Sequence, residues 1–311
     1  MIRILMFCFV LSSFGCSGNL PVPVSQPRIV GGKSLTKGDS GPLASATVAL
    51  TTQALKERGR SFCTAVLLQR SVLITAAHCV VDDHGQLHDG LMIAAMGPRL
   101  SRKSASARVV RAFVRRDYNP YTMAFAEASP MNDLALLKLD QGLSGTPVAV
   151  ADPSHELEVE SALALMGYGV SATRAKDDTG RLREVDASIV RVAAPGRMLM
   201  LRGPMLGFKV QVPGDQKGAR AHGGACAGDS GGPAFLRLPS GENLLAGIAS
   251  FATEARKYRN DDGVRYCSGQ NGYVDMRHYF EEVNSAVQAI DAEEAPVQVL
   301  WKSYSWANPG T

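Results

Sequence analysis

Apolar residues in this chain gather in short runs broken by glycine, proline and polar turns. The first half carries such runs at Thr47–Thr51, Cys63–Leu68, Val72–Thr75, Leu91–Ala95, Arg108–Val114 and Leu134–Leu139. The second half repeats the style at Ala162–Met166, Glu184–Val192, Phe208–Val212, Asn243–Ala249 and Gly272–Met276. Many short, turn-punctuated runs rich in β-branched residues predict barrels or sandwiches and argue against alternating βαβ units. A different period appears at Met276–Ala292. There Tyr279, Val283, Ala286, Val287 and Ile290 recur at helical spacing, opposite Glu281, Glu282, Asn284 and Gln288, which predicts an amphipathic helix. The tail from Glu293 holds both tryptophans, Trp301 and Trp306, and reads as a packed terminal strap.

The N-terminus follows another logic. Arg3 precedes an apolar run from Ile4 to Val10, and the small residues Ser12, Ser13 and Gly15 follow. A charged head, a short hydrophobic stretch and a small-residue region make up a secretory signal. The run is well short of the ~20 apolar residues a spanning helix needs. Cys16, between Gly15 and Ser17-Gly18, resembles a bacterial lipoprotein processing site, although Ser13 and Phe14 depart from the usual pattern. Lipidation at Cys16 and an ordinary signal-peptide cut both stay open; membrane attachment is expected only with the lipid. Residues 19–28 hold Pro21, Pro23 and Pro27 and read as an extended linker.

Composition narrows the classes further. Hydrophobic residues are 45% and charged ones 20% of the 311, as in soluble globular proteins. The formal charge is +4, but setting aside Arg3 and Arg28 leaves 31 basic residues against 29 acidic ones from Ile29 onward. That balance offers no footprint for nucleic acid. Past the leader stand Cys63, Cys79, Cys226 and Cys267, an even number that reads as disulfides in an exported chain. No CxxC pair is present, and Asp82, Asp83, His84, His88 and Asp89 are spaced as a solvated turn, so no metal or other cofactor is expected.

Three segments carry candidate chemistry. Acyl transfer by serine needs a hydroxyl nucleophile, an imidazole to take its proton, a carboxylate to orient the imidazole, and donors for the oxyanion. Gly228-Asp229-Ser230-Gly231-Gly232-Pro233 offers a serine on a tight turn whose backbone N–H groups at Gly228 and Ser230 can converge on one point. Such donors matter, since losing one typically costs ~100- to 1000-fold in rate. Thr75-Ala76-Ala77-His78-Cys79 places an imidazole after small residues, and Asn132-Asp133 places a carboxylate at the head of an apolar strand. Each alone has a structural alternative: a histidine beside a disulfide, and a turn before a strand.

Together, TAAHC, NDLALLKL and GDSGGP resemble the chymotrypsin/trypsin family in the order His, Asp, Ser, over about Ile29 to Ile290. The resemblance implies an all-β fold of two six-stranded antiparallel β-barrels of the chymotrypsin type with a C-terminal helix. The expected organisation is a signal peptide at 1–15, a propeptide or linker at 16–28, a peptidase domain at 29–292 and a tail at 293–311. Within that domain the barrels would fall at about 29–145 and 146–275, and the helix at about 276–292. It implies a serine-type endopeptidase in which Ser230 is nucleophile, His78 general base and Asp133 its orienter, with Gly228 and Ser230 as oxyanion donors. Ser250 matches the serine beside the buried aspartate, and Ser250-Phe251-Ala252 the strand that pairs with substrate backbone. Arg28-Ile29-Val30-Gly31-Gly32 resembles the family's activation site, so cleavage after Arg28 would free the Ile29 amine to pair with Asp229. The intact chain would then be a zymogen. Pairings Cys63–Cys79 and Cys226–Cys267 follow from the same resemblance.

Gly224 stands where trypsin-like members carry an aspartate at the base of the primary pocket, and Ala252 and Gly272 match its walls. A basic side chain would enter desolvated and unpaired. The resemblance therefore implies preference for an uncharged apolar residue before the scissile bond, and activation by another protease of basic specificity. The 253–266 segment is longer than the family norm and is an alternative source of specificity. The expected partners are protein or peptide substrates, and the expected state is an exported monomer. The rival from another class is a catalytically silent binding protein on the same fold; such members usually lose a triad residue, and this chain keeps all three.

Overall fold

The computed structural model describes residues 32–39, 41–119, 132–170, 178–193, 204–211, 222–252, 271–293 and 300–306. The activation segment around Arg28 and Ile29, the candidate lipidation site Cys16, Cys267 and the 253–266 segment lie outside them.

Six strands form the first barrel: β1 (Thr47–Thr51), β2 (Cys63–Gln69), β3 (Val72–Thr75), β4 (Ile93–Ala95), β5 (Ser106–Arg115) and β6 (Ala135–Leu139). They pair antiparallel in the order β5-β4-β1-β2-β3-β6, and β5 pairing with β6 closes the ring. The second barrel uses β7 (Ala162–Gly167), β8 (Arg183–Ala193), β9 (Met205–Gln211), β10 (Pro233–Arg237), β11 (Asn243–Ala252) and β12 (Asn271–Asp275). Their order is β8-β7-β10-β11-β12-β9, closed by β8 against β9. Closure pairs the two end strands of each barrel with one another. The two closed six-stranded antiparallel barrels are those expected from the motifs.

Apolar runs became strands because their side chains fill the barrel interiors. Val48, Leu50, Leu67, Leu73, Ile74 and Leu136 are fully buried in the first barrel, as are Phe208, Phe235 and Leu245 in the second half. One strand, β10, was not anticipated. It follows the GDSGG turn and begins with Pro233, whose ring supplies no N–H and which therefore stands at the strand's head.

The C-terminal helix runs Phe280–Asp291, preceded by a 3₁₀ turn at Met276–Tyr279, so the helical span expected from 276 begins in a tighter winding. Its buried face, Val283, Ala286, Val287 and Ile290, joins the core of the first barrel. The tail then returns as β13 (Trp301–Ser305), pairing antiparallel with Arg111–Arg115 of β5. Because β4 is short and meets β5 at Ser106–Arg108, the rest of that edge is open to β13. The strap is anchored by Trp301, 2% exposed, beneath the Arg115 guanidinium. Arg115 also lies over Tyr279 and pairs with Asp117 and Glu282, so helix, tail and barrel meet at one cation. Trp301→Ala should destabilise the protein by ~3–5 kcal/mol, the usual cost of emptying a large aromatic site, measured by urea unfolding.

Candidate active site

His78 sits in a one-turn 3₁₀ segment, Ala77–Cys79, directly after β3. The small residues Ala76 and Ala77 are fully buried, which lets the turn lie flat on the barrel while the imidazole stays partly open. Asp133 heads β6. Asn132 before it takes a left-handed conformation, φ 50°, which asparagine tolerates, and its side chain donates to Asp117 and accepts from the Tyr279 hydroxyl. The Asn-Asp pair is therefore both a turn and the device that sends the Asp133 carboxylate inward.

Asp133 is 0% exposed, and three donors converge on it. The backbone N–H of His78 donates to Oδ1 at 3.0 Å, and Nδ1 of the same residue lies 2.8 Å from Oδ2. Ser250, on β11 of the other barrel, donates its hydroxyl to Oδ2 at 2.6 Å. Burial opposes the charge on Asp133, but the His78 charge and the hydrogen bonds from His78 and Ser250 prevail and hold its carboxyl below the usual range. Burial likewise opposes a charged His78, and the Asp133 carboxylate outweighs it, raising the imidazole above its ordinary value. An imidazole held by Nδ1 in this way presents Nε2 as a proton acceptor.

Ser230 reaches the same place through its backbone. Its carbonyl accepts from the Thr64 N–H on β2 at 2.8 Å, and the Thr64 hydroxyl donates to the Gly228 carbonyl at 2.9 Å. Cys79 Sγ touches the Ser230 carbonyl oxygen at 3.6 Å; as a disulfide sulfur it has no hydrogen to give, so this is packing. Gly231 makes the approach possible. It has φ +77°, and a Cβ there would lie 2.0 Å from Thr75 Oγ1 and 2.3 Å from the Thr64 carbonyl oxygen. Among the described residues, the Ser230 hydroxyl and His78 Nε2 have no hydrogen-bond partner, and neither do the N–H groups of Gly228 and Ser230. Catalytic hydrogen bonds commonly tighten only when substrate arrives.

The Cys63–Cys79 disulfide is present, with its Cα atoms 6.1 Å apart across 16 residues. Its sulfurs sit beside the imidazole but are bonded to each other and are not free thiolates. Cys226 is also disulfide-bonded, to a partner outside the described residues. In the 82–89 turn, Asp82 accepts from the N–H groups of His84 and Gln86, and His88 Nε2 lies 3.0 Å from the His78 carbonyl oxygen. That loop supports the histidine turn, and the tail reaches it through the Tyr304 hydroxyl, which donates to the Gly85 carbonyl at 2.9 Å. Thr64, His88 and Tyr304 were not singled out as site residues from the sequence. Threonines and histidines at such positions carry no local signal, because their roles depend on segments distant in the chain.

Asp229 is 2% exposed and accepts from the N–H groups of Gly169 at 2.7 Å and Cys226 at 2.9 Å. Burial pushes its carboxyl up to about 6, against the pull of those two hydrogen bonds. Across β11 and β12, Ala252 pairs with Asn271 and Phe251 with Gly272. The Phe251 ring lies over Gly272, within 2.1 Å of where a Cβ would stand, so the space left by the glycine is taken by an aromatic face.

The two closed barrels are of the chymotrypsin type, with the His78–Asp133 pair at their junction. A family model described as Trypsin matches residues 29–265. Over 295 residues the chain is 27% identical to trypsin epsilon of Drosophila erecta, covering 92% of this chain and 100% of that protein. It is 26% identical over 240 residues to hypodermin-A of Hypoderma lineatum, covering 76% of this chain and 82% of that protein. A 30% identity over 243 residues relates it to serine protease filzig of Drosophila melanogaster, covering 73% of this chain and 13% of that one. The chain belongs to the trypsin family and is a serine-type endopeptidase.

Two measurements test the electrostatics. Asp133→Asn removes the charge that raises His78, so the imidazole should titrate lower than in the wild type when followed by proton NMR. Asp229 holds its proton to about 6 when folded, against an ordinary 3.8. The folded state then binds the extra proton, so stability should fall as pH rises through that window. Asp229→Asn in the full-length chain should remove that fall, as read from urea midpoints at pH 4 and pH 7.

Proposed function

We propose that this protein is an exported zymogen whose endopeptidase activity appears after cleavage behind Arg28. In this reading the Ser230 hydroxyl attacks the scissile carbonyl, His78 takes the proton and later returns it to the leaving amine, and Asp133 orients the imidazole. The N–H groups of Gly228 and Ser230 bind the oxyanion. The observation that carries the reading is the Asp133 carboxylate, buried and engaged by both His78 donors and by Ser250 from the opposite barrel.

Activation follows from Asp229. In the intact chain its carboxyl is buried and raised to about 6, because burial outweighs its two hydrogen bonds and the attraction of the buried Arg183 guanidinium. A free Ile29 amine brought to it would pair directly with the carboxylate and order the turn that carries Gly228 and Ser230. Gly224 supports an uncharged side chain before the scissile bond, since no carboxylate stands at that position to pair with lysine or arginine. Cleavage after Arg28 is then work for a different protease, of basic specificity.

Purified precursor should remain uncut on prolonged incubation. A trypsin-like protease should produce a chain beginning at Ile29 together with peptidase activity. Ser230→Ala should be processed equally and lose roughly a millionfold in kcat, while Asp133→Asn should lose about 10,000-fold. Turnover surviving in the Ser230 variant would sink the mechanism; efficient self-cleavage after Arg28 would sink the activation scheme and the pocket reading.

A further inference from the structure

Asn271 is an anomaly at the pocket. It opens β12, is 1% exposed, and among the described residues neither its Nδ2 nor its Oδ1 has a hydrogen-bond partner. Buried polar side chains are normally satisfied, so an amide with both ends unmade in a native protein calls for an explanation such as a water, an ion or a ligand. Its location supplies one. Asn271 pairs with Ala252 on one side and Phe208 on the other, and its side chain reaches over Gly224. A Cβ built on Gly224 would lie 1.9 Å from Nδ2, at a backbone φ of +148° that only glycine adopts readily. The amide thus occupies the space in which a side chain at position 224 would begin.

We propose that Asn271 is a specificity-determining residue whose amide forms a polar floor to the primary pocket and selects an uncharged side chain ending in a carboxamide, glutamine above all, before the scissile bond. The proposal rests on reading Gly224 as the base of that pocket, and it replaces the apolar preference expected from Gly224, Ala252 and Gly272 with a polar, uncharged one. A substrate carboxamide offers one acceptor and two donors, which match the unmade Nδ2 and Oδ1 of Asn271. An aliphatic side chain of the same length would leave both ends of the buried amide unpaired. A site built to hydrogen-bond rejects analogues lacking the group much more strongly than an apolar pocket discriminates by size. Lysine and arginine gain nothing from Nδ2, which repels a cation, and Oδ1 carries no full charge.

The test uses full-length protein cleaved after Arg28 by an immobilised protease that is then removed. Peptides differing only in the residue before the scissile bond (Gln, Met, Leu, Arg) are compared by kcat/KM at pH 8. Wild type should prefer Gln to Met by at least about tenfold, and Asn271→Leu should reverse that order. Asn271→Asp places a carboxylate at the same spot and should raise the Arg/Gln ratio at least about tenfold, a gain that misfolding cannot produce. Met or Leu favoured over Gln in the wild type, or an Asn271→Asp enzyme with unchanged selectivity, overturns the proposal. Labelling of wild-type enzyme by a small fluorophosphonate, with Ser230→Ala as control, separates the two failures. Labelled enzyme with the wrong selectivity overturns the pocket assignment alone; absence of labelling overturns the catalytic reading on which it stands.

Discussion

The carboxylate of Asp133 is the joint on which the two halves of this molecule turn. It is a charge removed from water, and in a medium of low dielectric such a group persists only when its lone pairs are filled by well-placed donors. The first barrel supplies the backbone and ring of His78, and the second supplies the Ser250 hydroxyl. These contacts tie together three elements: the 3₁₀ turn after β3, the head of β6 that carries the carboxylate, and the end of β11. A rotation of one barrel against the other would leave a buried anion short of partners. The electrostatic requirement of one side chain therefore sets the relative placement of elements that are 117 residues apart in the chain.

A second set of contacts brings the nucleophile turn to the same place without using charge. Thr64 is fully buried on β2, and its N–H and hydroxyl hold the carbonyls of Ser230 and Gly228, while the hydroxyl also accepts from the Tyr168 N–H at 3.0 Å. The threonine satisfies carbonyl groups that the tight turn cannot satisfy internally. Gly231 lets that turn press directly onto Thr64 and Thr75. The Cys63–Cys79 bond lies alongside, so the strand that carries Thr64 and the turn that carries His78 are covalently tied. The geometry of the site is thus built mainly from backbone groups of the first barrel, with side chains adding the final contacts.

The far end of the chain belongs to the same construction. The helix buries its apolar face in the first barrel, and β13 completes an edge that short β4 leaves open. Through Tyr304 and the 82–89 loop, the tail supports the carbonyl side of His78. Asp229 and Asn271 stand out among the buried polar groups on this side of the nucleophile turn. One is raised by burial, the other has an unmade amide. Both flank the region that substrate and the new N-terminus would complete in the proposed mechanism, where incomplete satisfaction is the expected signature of a site built for an incoming group.

Most of the fold was readable from the primary structure because apolar runs of strand length record, residue by residue, which positions must leave water. The family likewise was legible because Gly228 through Pro233, His78 with its alanines, and Asn132-Asp133 are local arrangements, each demanded by the backbone geometry around it. Strand β10 was hidden behind its leading proline, and β13 behind a tail too short to show periodicity. The roles of Thr64, Ser250 as an actual donor, Tyr304 and Asn271 depend on partners far away in the chain. Hydrophobic burial acts on each residue by its own chemistry and so leaves a one-dimensional trace. The satisfaction of a buried carboxylate or amide is a property of pairs and triples of groups, and only the folded arrangement decides which of them meet.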